Sequence, residues 1–379
     1  MLKQALAKTG RSGSLARLHA VNRAIGDLRR GDAVLLRDGE TAALIQAAET
    51  VDDAALGRAE AWTGSRAQLA TTRRRAAALD LAPVETASAA TVVLTLPDAA
   101  DALLINELAD PTVMRQMPRP AIALEDAPAH GIAAAAIELA KLARLLPAVA
   151  LFPIETRLGA LLARREGIVE LSVGTVAEHR SVLAKGQRRV ADARVPLADA
   201  ENARIVAFRP DDGGTDHLAI LIGEPKGPGP VLARIHSECF TGDLLGSLRC
   251  DCGEQLRGAI RAIAQAGSGV VIYLAQEGRG IGLVNKLRAY RLQDSGFDTV
   301  DANEQLGFEA DERIYQPAAE ILHQLGFDRV RLLTNSPDKI EALQHFGIAV
   351  TERVPLTVAP NDHNRSYLTT KQAKSGHLF

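Results

Sequence analysis

HSECFTGDLLGSLRCDCGEQL, residues His236 to Leu256, carries all three cysteines of a 379-residue chain. Cys239, Cys250 and Cys252 follow the spacing C-x10-C-x-C, beside His236, Glu238 and Asp251. Free cysteine often packs as a small hydrophobe. Three of them crowded into fourteen residues, among carboxylates, favour metal over coincidence. Thiolates are soft donors that suit zinc. Three thiolates leave the fourth position of a tetrahedral shell to water or substrate, whereas His236 as a further ligand would close it. The spacing allows both.

Outward from this stretch, strands and helices alternate. Val231–His236 and Val270–Ala275 read as buried strands, and Glu254–Gly267 reads as an amphipathic helix ended by glycine. Arg329–Thr334 predicts a strand, followed by Ser336 as N-cap, Pro337 at the first helical position and a helix to Gly347. The first half is richer in alanine, leucine and arginine. It holds one strong helical stretch, His130–Pro147, ended by the proline, and a strand candidate, Val149–Ile154. Leu183–Arg204 is polar and poorly periodic, which predicts an inter-domain connection. Single cores rarely grow past ~250–300 residues. The expectation is therefore a mixed α/β (α+β) chain of two domains, 1–185 and 186–379.

With 47% hydrophobic and 24% charged residues, the composition is that of a soluble globular protein. A net charge of -2 supplies no global field for nucleic acid or a membrane surface. The basic run Arg73–Arg75 reads as a solvated helix face. No apolar run reaches the ~18 residues of a membrane span. The opening MLKQALAKTGRSGSL lacks the apolar region of a signal peptide. An odd number of cysteines makes no disulfide framework, so a reducing, cytoplasmic location is expected.

Other motifs in the second half carry chemistry. QEGRGIG, Gln276–Gly282, is a glycine loop after a strand, whose N–H groups together with Arg279 could cradle phosphates. Lys339 falls in the first turn of its helix, where a cation opposes the dipole, and a bound anion would explain it. Tyr290 stands four residues after Lys286, on the same helix face. Asp311 and Arg313 in ADERIY would point the same way on an extended segment.

These residues also carry a resemblance. RIHSECFTGDLLGSLRCDCGEQL resembles the signature of GTP cyclohydrolase II. The likeness continues through YLAQEGRGIGLVNKLRAYRLQDSGFDTVDANEQLGF, EADERIY, RLLTNSPDKIEAL and the closing GHLF, over residues 188–379. The resemblance implies conversion of GTP to 2,5-diamino-6-(5-phosphoribosylamino)pyrimidin-4(3H)-one, formate and pyrophosphate, the first step of riboflavin biosynthesis. It implies one Zn2+ per chain on Cys239, Cys250 and Cys252, with water at the remaining position, where zinc can bring its pKa towards ~7. GTP contacts are implied at Arg234, Ile235, His236, Ser237, Glu238, Gln255, Glu277, Gly278, Arg279, Thr299, Thr334 and Lys339. Tyr290 is implied in the ring-opening proton transfers, Asp311 as proton acceptor and Arg313 as nucleophile at the α-phosphate. A guanidinium pKa above ~12 makes that last role demanding, and an arginine that only stabilises charge fits equally well. Mg2+ with the triphosphate and a homodimer are further implications.

Val21–Glu49 and the stretch around His130–Glu155 resemble, in part, 3,4-dihydroxy-2-butanone 4-phosphate synthase. The departures are large. Only Asp38 and Glu40 stand where that family has a dense acidic run, Ile132 where it has a catalytic histidine, and Pro153 where it has a catalytic glutamate. His130 and Glu155 lie two positions away. The expected reading is a retained fold without synthase activity. The alternatives are a bifunctional enzyme and a non-catalytic zinc- and nucleotide-binding paralogue. The intact set Tyr290, Asp311 and Arg313 argues against the second of these.

Overall fold

Apolar residues along Val231–Ser237, Gly269–Leu274 and Arg329–Leu333 fall alternately on two sheet faces, and both faces are covered. Ala233, Ile235, Val270, Ile272 and Leu332 pack with Ala318, Ile321 and Leu322 of the helix Gln316–Gln324. Leu232, Val271 and Leu333 pack on the other side with Ala259, Ile260 and Ile263 of the helix Cys252–Gln265. Burial of each large aliphatic side chain is worth about 1.5–3 kcal/mol. The helix that begins at Cys252 is therefore held by its own apolar stripe. Coverage on both faces is also why Val270–Leu274 reads as one unbroken apolar run.

The computed structural model describes residues 2–82, 89–113, 121–227 and 229–356. The closing motif Gly376–Phe379 lies outside the described residues. Two compact units form. The first comprises Met1–Arg180, Val284–Phe297 and Asp301–Asp311, and the second comprises Ser181–Leu283, Asp298–Val300 and the described residues from Glu312 on. Among the described residues each unit is built on a seven-stranded sheet, which makes the chain mixed α/β.

In the second unit the strands lie in the order Ala349–Val354, Arg329–Leu333, Val231–Ser237, Gly269–Leu274, His217–Ile222, Ala203–Pro210, Gln187–Arg194. The first four are parallel and the rest continue antiparallel. The carboxyl ends of parallel strands share one edge, the usual place for a ligand in such sheets. In the first unit the order is Ala123–Asp126, Thr91–Thr95, Gln68–Thr72, Ala148–Glu155, Thr41–Ala47, Val34–Asp38, Val169–Ser172. The helix Ile132–Leu142 buries Ala136, Leu139 and Ala140 in the core of that unit.

Several sequence expectations are corrected. The segment around Gln187–Arg194 is a strand rather than a connection, paired antiparallel with Ala203–Pro210 across a register shift between Arg189 and Ala191. It is the outermost strand and is exposed at every residue after Gln187, so it carries no apolar alternation to betray it. The helix expected to run to Pro147 ends earlier, because Arg144 adopts a left-handed backbone (φ 57°). Ser336 holds the N-cap position of the helix Pro337–His345 without a side-chain capping bond.

Arg73–Arg75 is not a solvated face. Arg73 and Arg75 are buried. Arg73 donates from Nε to Ala89 O and pairs with Asp126. Arg75 spreads its guanidinium over three carbonyls, Leu108 O at 2.8 Å, Gln305 O at 3.0 Å and Glu107 O at 3.3 Å. Hydrogen bonds to a charged donor are worth about 1.5–3 kcal/mol each, which offsets the desolvation that a buried cation would otherwise suffer.

Candidate functional site

Two glycines explain how the cysteine segment folds. A short helical turn, Phe240–Leu244, follows Cys239 and lies against the start of the helix Cys252–Gln265. A Cβ on Gly253 would collide with the Gly242 carbonyl, and a Cβ on Gly242 would sit 2.7 Å from Cys250 Sγ and 3.0 Å from Cys239 Sγ. With glycine at both positions the turn closes, and the three thiols converge so that their sulfur atoms lie within 4.8 Å of one another. Cys239 Sγ and Cys250 Sγ stand 3.7 Å apart. The neighbouring Cys239 thiol, ahead of burial, pushes Cys250 up to about 11, and the Cys239 and Cys250 thiols raise Cys252 well above its ordinary value. Three such thiols ionise together only when a cation shares their charge, and thiolates are soft donors that suit zinc.

His236 is not part of this group. Its Nε2 faces both carboxylate oxygens of Asp243, at 3.0 and 3.1 Å, and its ring stacks on Tyr273 with centroids 5.5 Å apart. Burial, outweighing the Asp243 carboxylate, holds its pKa below the ordinary histidine value. Asp243 also accepts from Tyr273 Oη at 2.9 Å and from Cys239 N at 3.0 Å. One buried carboxylate thus orients the histidine and anchors the first cysteine. Among the described residues the candidate metal group is the three cysteines alone.

Several of the other expected residues lie at the carboxyl ends of the parallel strands. Arg234 is buried in Val231–Ser237 and donates to Leu333 O (2.9 Å) and to Gln255 Oε1 (2.6 Å). Burial pushes its pKa down to about 10, so it stays charged at neutral pH. Its Nε and the Ser237 hydroxyl are buried without a hydrogen-bond partner. Buried unsatisfied donors of this kind cost about 1–3 kcal/mol each and point to a ligand. Ile235 offers only its backbone, because its side chain lies in the core and its carbonyl accepts from Lys339 Nζ at 3.0 Å. Glu238 N extends the sheet by donating to Leu274 O. Thr334 is buried, and its hydroxyl accepts from Ser336 N at 3.1 Å.

The loop Gln276–Gly282 turns through left-handed backbone at Gly278 (φ 64°) and Arg279 (φ 60°). Glu277 is buried and its two oxygens accept from Phe240 N (2.6 Å) and Gly278 N (2.7 Å), tying the glycine loop to the cysteine segment. Residues 312–314 dock on the same loop. Gln276 exchanges two hydrogen bonds with the Ile314 backbone, and Glu312 N donates to Arg279 O. Arg313 is carried there between them, its guanidinium 5.5 Å from the Tyr315 ring centroid, with Lys339 Nζ 5.9 Å from the same ring. Arg234 and Arg313 are close enough to lower Arg234's pKa, and Lys339 does the same to His236. Three buried or half-buried cations converge here, Arg234 among them close to Cys252, a field suited to a polyphosphate.

Thr299 also lies in the second unit, at the start of the helix Thr299–Gln305. Tyr290 and Asp311 belong to the first unit. The ammonium of Lys286 sits 5.8 Å from the Tyr290 ring centroid, so the two share the face that their spacing predicts. Sequence reasoning missed Asp243, Tyr273 and Tyr315. Tyr315 stands two residues from Arg313 and could have been found there, whereas Tyr273 reads as one more residue of an apolar strand.

Because its missing Cβ is what lets the thiols converge, Gly242→Ala is expected to weaken zinc binding by roughly 10–100-fold, the usual cost of disturbing a metal site's supporting shell. The protein should remain folded. Competition with a chromophoric chelator, read alongside circular dichroism, measures both; wild-type zinc affinity in the variant contradicts the packing argument.

Residues 187–355 match the family model for GTP cyclohydrolase II. A GTP cyclohydrolase-2 of Azospirillum brasilense is 51% identical over 372 residues, covering 96% of this chain and 95% of its own. A GTP cyclohydrolase-2 of Cronobacter sakazakii is 55% identical over 192 residues, 51% of this chain and 97% of that protein. The riboflavin biosynthesis protein RibBA of Chlorobium phaeovibrioides is 44% identical over 253 residues, 65% of this chain and 62% of its own. With strand-end cations, a glycine loop and clustered thiols on the matched residues, the chain belongs to the GTP cyclohydrolase II family.

Proposed function

We propose that the chain hydrolyses GTP in the first step of riboflavin biosynthesis, releasing C8 of the guanine ring as formate and the outer two phosphates as pyrophosphate. The observation that carries this reading is the convergence of three thiols with the partnerless Arg234 Nε and Ser237 Oγ at one sheet edge. Cys239, Cys250 and Cys252 would hold one zinc. When bound, zinc supplies Lewis acidity and brings the ionisation of water into the neutral range.

The chain's own residues bind and orient the nucleotide. Arg234, Arg313 and Lys339 neutralise the triphosphate, with Mg2+ accompanying it, and the N–H groups of the Glu277–Arg279 loop cradle it. Asp243 fixes His236 as the neutral Nε2–H tautomer and keeps Cys239 in place. Tyr290 serves the proton transfers of ring opening and Asp311 accepts the proton at the phosphate end. Arg313 acts at the α-phosphate, as the attacking group or as the cation that stabilises its charge. A homodimer in a reducing, cytoplasmic compartment completes the reading.

The two hydrolyses should separate. Cys250→Ser is expected to lose zinc and formate release while still liberating pyrophosphate, because Arg313 is not a metal ligand. Arg313→Ala is expected to lose pyrophosphate. Parallel assays of formate and pyrophosphate test this division, and equal loss of both products in both variants contradicts it.

The first domain is read as a fold without synthase chemistry. Asp38 and Glu40 flank Gly39 on an exposed turn between two strands. Glu155 is occupied as the N-cap of the helix Thr156–Glu166, accepting from Arg157 N and Leu158 N at 2.9 Å, and those bonds hold its pKa below the ordinary value. Pro153 sits opposite Ala43 in the sheet, and Ile132 begins a helix. General acid–base groups contribute about 100- to 10,000-fold each. The purified protein is therefore expected to yield formate from GTP and none from ribulose 5-phosphate with Mg2+. Formate from the sugar phosphate at a comparable rate contradicts the reading.

A further inference from the structure

Two segments inside the matched cyclohydrolase residues, Val284–Phe297 and Asp301–Asp311, fold as part of the first unit. They carry Tyr290 and Asp311. Polar groups from the first 180 residues hold both.

Arg288, two residues before Tyr290, donates to Asp110 Oδ2 (2.8 Å) and to Glu49 Oε1 (3.1 Å), and all three side chains are largely buried. Glu49 spends its second oxygen on Leu146 N, which keeps it oriented. Asn285, on the same helix, donates to Arg144 O at 3.0 Å, the residue whose left-handed backbone ends the helix Ile132–Leu142. The second segment is fixed at four places. Arg75 Nη1 reaches Gln305 O, and Thr72 Oγ1 donates to Gly307 O at 2.8 Å. Arg74 pairs with Glu304 and Glu309, at 2.5 and 2.6 Å, the latter two residues before Asp311. A Cβ on Gly307 would meet Thr72 Oγ1 at 2.8 Å and Pro147 at 3.0 Å, so the chain passes here in close contact.

We propose that the first domain is the positioning frame for Tyr290 and Asp311, and that Arg74, Arg75 and Arg288 are positioning residues for turnover of GTP. This rests on the roles assigned above to Tyr290 and Asp311. It gives the Arg73–Arg75 run a purpose other than solvation, and it gives a domain without the expected acid–base groups a reason to be retained. Arg234, Lys339 and the glycine loop lie in the second unit and take no part in these contacts, so the expected effect falls on kcat rather than on KM. Displacing a catalytic group by about 1 Å costs on the order of 100-fold.

The test uses the full chain and the partly exposed Arg74, whose replacement leaves the buried arginines in place. Arg74→Glu sets like charges against Glu304 and Glu309. The expected result is a kcat for formate and pyrophosphate release lowered roughly 10–100-fold, with KM for GTP and zinc content unchanged. Adding Glu304→Arg and Glu309→Arg to that variant restores opposite charges and is expected to recover most of the lost kcat. Wild-type kcat in Arg74→Glu, or a loss that the reversal fails to recover, overturns the proposal. Tyr290→Phe and Asp311→Asn are assayed beside it. Wild-type kcat in both would remove the roles that the frame serves, and so locates the failure there and not in the arginine contacts.

Discussion

Three thiols with sulfur atoms within 4.8 Å cannot all ionise unless a cation shares their charge. Their mutual influence already raises Cys250 and Cys252. Much of the second unit serves to bring these atoms together. The apolar stripe Ala259, Ile260 and Ile263 seats the helix that begins at Cys252. Gly242 and Gly253 let the preceding turn approach it. Asp243 and Glu277, both carboxylates accepting backbone N–H groups, pin Cys239 and Phe240 on either side. A cluster assembled by so many independent contacts is preorganised to hold a metal ion, which lowers the reorganisation that binding would otherwise require.

The parallel strands bring further polar groups to the sheet edge that carries the thiols. Val231–Ser237 delivers Arg234, Ser237 and, just beyond, Cys239; Gly269–Leu274 delivers the glycine loop; Arg329–Leu333 leads to Thr334 and Lys339. Residues far apart in the chain meet because strand ends in a parallel sheet share one edge.

What the sequence made legible follows from range. The cysteine cluster was readable because its ligands lie within fourteen residues. The central strands were readable because both of their faces are buried, so their apolar runs are unbroken. Gln187–Arg194 was not, since an outermost strand exposed along its length looks like linker. Arg73–Arg75 misled for a related reason: local composition suggests solvent, while Arg74 and Arg75 are satisfied by Glu304 and Gln305, 230 positions away. The same separation hides the folding of Val284–Phe297 and Asp301–Asp311 with the first unit. Asp243 was invisible because its task, holding Cys239 and His236 together, appears only once the turn closes.

X-ray absorption at the zinc edge of the purified, zinc-loaded protein tests the open three-thiolate site most directly. Three sulfurs near ~2.3 Å and one oxygen, without imidazole scattering, are expected. Four protein ligands, through a histidine signature or a fourth sulfur, would contradict it.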